Sequence, residues 1–174
     1  MTAMTDDTRL VPSQRITGAA AVLPSAHEVV CAVWGTSVEA SGGPDAREIL
    51  VHLHDLAELY AAQIHAEEHQ LPRPEAYEFA SGRDYLTGRI DSILLTRLSD
   101  LAENDRQDLV TLYEELAAMA ARTQRACRKH LGTADPAVHE QWTRLAELRD
   151  LYADRVTTLV SVPPWLADVI EGPW

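Results

Sequence analysis

The sequence predicts an all-α fold, an antiparallel four-helix bundle with long helices over roughly 45–69, 84–103, 105–131 and 136–161. An additional N-terminal helix over roughly 25–40 and a short C-terminal helical tail complete it. Three observations carry this reading. Between Asp105 and Val160 two seams keep an almost strict four-three spacing: Leu109, Tyr113, Leu116, Ala120, Thr123, Cys127 and His130 on one helix, and Val138, Trp142, Leu145, Arg149, Tyr152, Val156 and Leu159 on the other. Such spacing holds one stripe of each helix against a neighbour. Capping and breaking residues bound the long apolar-periodic runs. Finally, 174 residues with 46% hydrophobic content suffice for one domain with a substantial core, and not for two.

Taken in order, residues 1–23 lack sustained periodicity and are rich in Thr, Ser and small side chains, which predicts a flexible arm ahead of a single helical domain over 24–174. Ser25 and Glu28 have capping-box spacing and open the first helix, which must stop before Gly42 and Gly43. Its centre, Val29 to Trp34, is apolar on every face. That marks a helix buried on more than one side or a surface for contact, with a strand the minor alternative because of the β-branched content.

Pro44 and Asp45 open the second helix, with Glu48 at capping-box distance from Asp45 and Ile49, Leu53, Leu56, Tyr60 and Ile64 as its apolar set. Pro72 and Pro74 break the pattern; a short helical turn over 75–80 precedes Ser81 and Gly82. The third long helix buries Leu86, Ile90, Leu94, Leu98 and Leu101. Asn104 with Gln107 caps the fourth helix, Gly132 ends it, and Asp135-Pro136 starts the last, which Pro163-Pro164 terminate. Beyond lie Trp165 and Trp174 with Leu166, Val169 and Ile170 between them, enough for one apolar turn.

Charge narrows the function. With 27 acidic against 15 basic residues the formal net charge is −12, which disfavours phosphate backbones and anionic lipid, whose non-specific attraction is cationic. Neither nucleic acid nor membrane is an expected partner. Two cysteines, Cys31 and Cys127, make no disulfide framework; no secretory leader or apolar run near 20 residues is read, so a cytoplasmic protein is expected.

The second helix carries a polar stripe of His54, Glu58, His65 and His69 in one sector, and the His65/His69 and His54/Glu58 pairs have the i, i+4 spacing of metal ligands. The stripe lies nearly opposite Leu53 and Leu56, however, whereas metal sites in bundles use inward-facing residues from several helices. A solvated face is the simpler reading. His27 with Cys31 and Cys127 with His130 would make a zinc site only if their helices adjoin; ordinary packing is simpler there too. Arg97 and Arg149 fall at core-facing positions, some two turns apart along the bundle, so each is expected to form a buried ion pair or to bind an anionic ligand separately. Arg122, Arg125, Arg128 and Lys129 complement the negative end of their helix.

No catalytic motif appears, no cofactor is called for, and no run of residues resembles a known family. The sequence therefore predicts a non-enzymatic helical bundle acting by contact with a protein partner or a second copy of itself. The contact residues are Trp34 and Val38 on the first helix and Trp165, Leu166, Val169, Ile170 and Trp174 in the tail. The alternative is a metal- or small-ligand-binding bundle using the histidine stripe or the two arginines.

Overall fold

The computed structural model describes residues 19–36, 41–70, 76–129 and 135–160, which form an all-α helical bundle. Its helices are α1 (Ala19–Val22), α2 (Ala26–Val33), α3 (Pro44–Glu68), α4 (Ala76–Arg97), α5 (Glu103–Lys129) and α6 (Pro136–Val160).

The helix starts follow local chemistry. At α2 the Ser25 hydroxyl accepts the Glu28 N–H at 3.3 Å while the Glu28 carboxylate accepts the Ser25 N–H at 2.7 Å, so two otherwise unpaired donors are satisfied reciprocally. The helix ends at Trp34, where Gly35 takes φ +75, a left-handed conformation that suits glycine. It is thus shorter than 25–40. In α3, Gly43 is the N-cap and Pro44 occupies the first turn. The expected Asp45–Glu48 box does not form, because Gly43 is the N-cap and Asp45 already lies inside the helix; Asp45 bonds Arg97 and Glu48 bonds Arg89 across to α4. Asp135 caps α6 by accepting the Ala137 N–H at 2.8 Å.

The third long helix differs most from expectation. It begins at Ala76, runs unbroken through Ser81 and Gly82, and ends at Arg97 instead of near residue 103. Gly82 faces Leu59 of α3 so closely that a Cβ there would stand 3.3 Å from the leucine methyl, so the glycine permits close helix approach and does not break the helix. Leu98 and Leu101 form a buried turn into α5, which starts at Glu103, one residue ahead of Asn104.

At the centre of the core is α5, which packs on α2, α3, α4 and α6. Its seam was well read: Leu109, Tyr113, Leu116, Ala120 and Thr123 are buried and Cys127 half-buried, while His130 lies outside the described residues. Against it stand Ile49, Leu53 and Leu56 of α3, Ile90 and Leu94 of α4, and Leu145 and Tyr152 of α6. The first helix is not peripheral. Wedged among α3, α5 and α6, α2 buries Val29 and Val33 completely, each worth about 1.5–3 kcal/mol relative to exposure. Ala19–Val22, within the segment expected to be a loose arm, is helical, with Ala19, Val22 and Leu23 buried in the core.

A buried chain of hydroxyls ties the α1–α2 connection to α5 and α6. Tyr152 donates to the Pro24 carbonyl at 2.7 Å and lies 2.8 Å from the Tyr113 hydroxyl. Since Tyr152 has one hydroxyl hydrogen, Tyr113 must donate to it. Burial, opposing formation of a phenolate, raises the pKa of both.

Candidate functional site

The histidine stripe does not converge. His54 is half-buried and its Nδ1 donates to the Ala32 carbonyl at 3.1 Å, whereas Glu58, His65 and His69 are exposed. These residues do share a sector of α3, but α2, eight residues and about 12 Å long, covers only the N-terminal part of it. His65 and His69 stack with ring centroids 4.3 Å apart, and His54 stands some 22 Å along the axis from His69, far beyond the reach of one ion. His27 approaches Cys31 at 3.7 Å. Among the described residues no group of three or more His, Cys, Asp or Glu side chains is placed to hold a metal ion.

Neither arginine faces the core. Arg97 is 57% exposed and bonds Asp45 at 3.0 Å, close to the opening of α3. Arg149 is 47% exposed and folds onto the adjacent Asp150 at 2.6 Å. The seam instead uses Leu148, which packs on the core between Leu145 and Tyr152. Spacings 145–148–152 and 145–149–152 are equally good helical patterns, and the leucine takes the buried one. Trp142 is likewise rotated outward, 41% exposed, and its ring meets Trp34 of α2 at 4.8 Å. Trp34 is thus partly covered by the chain itself. Val38, Trp165, Leu166, Val169, Ile170 and Trp174 lie outside the described residues.

What the helices leave open is one flank of the α5–α6 hairpin. Leu148, Leu151, Arg144 and Arg155 share a sector of α6 next to its buried stripe, and Asp108, Leu112, Glu115 and Met119 share the matching sector of α5. Between them runs a groove in two stretches that meet at Thr111. One, of about 310 Å³, is lined by Asp108, Leu112, Leu151 and Arg155; the other, of about 400 Å³, by Tyr60, Glu114, Met119, Arg122, Arg144 and Leu148 among others. Leu151 is 53% exposed.

Electrostatics differ along the groove. Arg155 is held by Asp105 at 2.7 Å and Asp108 at 2.6 Å. Tyr60 donates to Glu114 at 2.6 Å, and burial together with that anionic acceptor raises its pKa. Arg122 and Arg144 are exposed and form no ion pair among the described residues. The second stretch therefore sets Met119 and Leu148 beside charges of both signs, Glu114 and Glu115 with Arg122 and Arg144.

A smaller cleft of about 240 Å³ opens between α2 and α3, lined by Glu28, Ala32, Arg47, Leu50, Val51 and His54 with Gly35 and Thr36 at its end. Glu28 is buried there. Its carboxylate accepts the backbone N–H groups of Ser25 and Ser41, so it clasps both ends of the α2 segment. Burial alone would raise its pKa, but these bonds outweigh burial and hold the carboxyl at about 2. From sequence it was legible only as a helix cap. The groove escaped notice because Leu112, Leu148 and Leu151 sit beside the seams; their signal is an apolar sector wider than one stripe.

The chain matches no family model, and neither the curated proteins nor the solved structures include a match to it.

Proposed function

We propose that this protein acts by contact, as a non-enzymatic adaptor or regulatory bundle, and that the α5–α6 flank is its principal contact surface. The observation that carries the reading is the groove containing Leu148 and Leu151, edged by Arg122 and Arg144, which form no ion pair among the described residues. Apolar side chains bordered by charged ones, Leu151 by Asp108 and Arg155 and Leu148 by Arg122 and Arg144, resemble an interface centre with a polar rim. The Trp34–Trp142 pair, with Trp142 partly exposed on the same helix as the groove, offers a second aromatic anchor. A partner would present an acidic, apolar segment. No helix among the described residues is long and apolar enough to cross a membrane.

Native mass spectrometry and sedimentation of gently purified protein, wild type beside Leu151→Asp, test the proposal. A dimer or a co-purifying protein that Leu151→Asp releases, with unchanged circular dichroism, supports it. A monomer that retains nothing, or an assembly indifferent to both Leu151→Asp and Trp142→Ala, overturns it.

A second reading has one observation in its favour. His54 is the member of the histidine stripe that lines a cleft, and with Nδ1 engaged on Ala32 its Nε2 is left for a ligand beside Arg47. Small-molecule binding there would be weakened by His54→Ala and untouched by Leu151→Asp.

A further inference from the structure

We propose that the outer face of α4 docks on the same face of a second copy of the chain, antiparallel, about a two-fold axis at the level of Ile90. The contact goes beyond the α5–α6 flank and leaves that flank open to another partner.

The face is apolar where it stands out furthest. α4 packs on α3 and α5 and buries Ile90, Ile93 and Leu94. On its other side Tyr85, Gly88, Ser92 and Leu95 are exposed, Tyr85 by 65% and Leu95 by 52%. Gly88 lies between these two large side chains, and a Cβ added to it would meet no atom within 4 Å. Two protruding side chains thus flank a shallow hollow of small residues, a shape that admits a second helix at close range.

The same face is complementary to itself. Positions equally far before and after Ile90 lie at equal angles on either side of the outward direction. A two-fold axis there brings each residue before Ile90 to the level of the residue equally far after it on the other copy. Tyr85 then meets Leu95, Gly88 meets Ser92 next to the axis, and Arg89 meets Asp91 at the margin. A parallel pairing would set Arg89 against Arg89 and Asp91 against Asp91, so charge selects the antiparallel order. Within each chain Arg89 is paired with Glu48 at 2.7 Å and Asp91 with Arg106 at 2.6 Å. The face is therefore locally neutral in a chain of net charge −12, which avoids local repulsion between copies.

Size sets the strength. Tyr85 and Leu95 are about 15 Å apart along the helix, so the contact falls short of the roughly 800 Å² per partner of a standard interface. A weak, concentration-dependent dimer follows.

Sedimentation equilibrium of the full chain from about 10 µM to about 1 mM tests the proposal. Wild type is expected to pass from monomer towards dimer over this range. Tyr85→Asp and Leu95→Asp should each weaken association at least about tenfold, and Leu151→Asp should change it less than about twofold. Since Tyr85 and Leu95 are exposed, both variants should keep the wild-type circular dichroism. Disulfide trapping reads the orientation. With helix axes about 9 Å apart, position 88 of one copy and position 92 of the other stand about 5 Å apart at Cα, whereas two copies of either position stand about 8 Å apart, beyond disulfide reach. Mixed Gly88→Cys and Ser92→Cys proteins should therefore cross-link to each other about tenfold faster than either does to itself, above the background from the half-buried Cys31 and Cys127 of wild type. A monomer at every concentration would overturn the proposal, as would a dimer that Tyr85→Asp leaves intact or one in which each cysteine variant links to its own kind. A dimer lost in Leu151→Asp and kept in Tyr85→Asp would assign self-contact to the α5–α6 flank instead. Repeating the Leu151→Asp comparison in a Tyr85→Asp background reads the flank's partner alone, so the failure of one contact is told apart from the failure of the other.

Discussion

Replacing Glu28 by Gln probes the clasp that fixes α2 against α3. The carboxylate accepts backbone N–H groups on both sides of α2, from Ser25 and Ser41, and is itself buried. A glutamine retains one carbonyl oxygen and turns an N–H2 toward the other donor, so at least one of the two N–H groups loses its acceptor. The fall of the carboxyl from its ordinary 4.5 to about 2 corresponds to a ceiling of about 3 kcal/mol of stability. Hydrogen bonds to charged groups contribute about 1.5–3 kcal/mol each, and the open cleft lets water replace part of that, so a loss of about 1–3 kcal/mol is expected at neutral pH. Because the folded value lies below the unfolded one, this contribution is complete above about pH 4.5 and disappears as pH falls toward 2. Urea unfolding of wild type and Glu28→Gln, followed by circular dichroism at several pH values, measures the gap directly. The other carboxylates cancel in the difference. A gap under about 0.5 kcal/mol at neutral pH, or one that stays constant down to about pH 3, would refute the clasp.

Tyr152→Phe should cost about 1–3 kcal/mol in the same assay, since it strands the Pro24 carbonyl and the Tyr113 hydroxyl, and Tyr113→Phe should cost clearly less because Tyr152 keeps its bond to Pro24. Equal costs would contradict the direction of the hydroxyl chain. On alkaline titration the phenolate absorbance of Tyr60, Tyr113 and Tyr152 should appear only well above pH 10, and the stability their neutral forms contribute, complete below about pH 10, should be lost as pH rises toward the folded values; ionisation of all five tyrosines near pH 10 without unfolding would contradict this. Arg149→Met should change stability by less than about 0.5 kcal/mol, because the guanidinium is half exposed and meets only its neighbour Asp150. A larger loss in chemical denaturation would return Arg149 to a structural role. His54→Ala should cost about 0.5–1.5 kcal/mol through the lost bond to Ala32, whereas His65→Ala and His69→Ala should be neutral, as thermal melts would show.

Much of this fold is local chemistry written in the chain. Ser25 with Glu28, Pro44 and Asp135-Pro136 start helices through contacts within one turn, and the run Leu109, Tyr113, Leu116, Ala120, Thr123 marks a buried face by its spacing. The errors arise where two neighbouring residues satisfy the same period or where one helix decides the exposure of another. Arg149 and Leu148 both fit the seam of α6, and only packing against α5 selects the leucine. Gly82 looks like a breaker until Leu59 of α3 is brought beside it, where a Cβ would crowd the leucine methyl. His54, Glu58, His65 and His69 share a sector of α3, but the short α2 shields His54 alone, so a stripe that is uniform in sequence is divided in space.

By itself, then, the sequence determined an all-α chain, the starts of most of its helices, and the face that α5 buries, because capping and periodicity act over a turn or two. Tertiary structure alone decided that α2 is a wedge in the core, that the two suspected arginines face water, and that a groove lined by Leu148, Leu151, Arg122 and Arg144 runs along α5 and α6. Those outcomes depend on which helix lies beside which, and side-chain period within one helix holds no information about its neighbour.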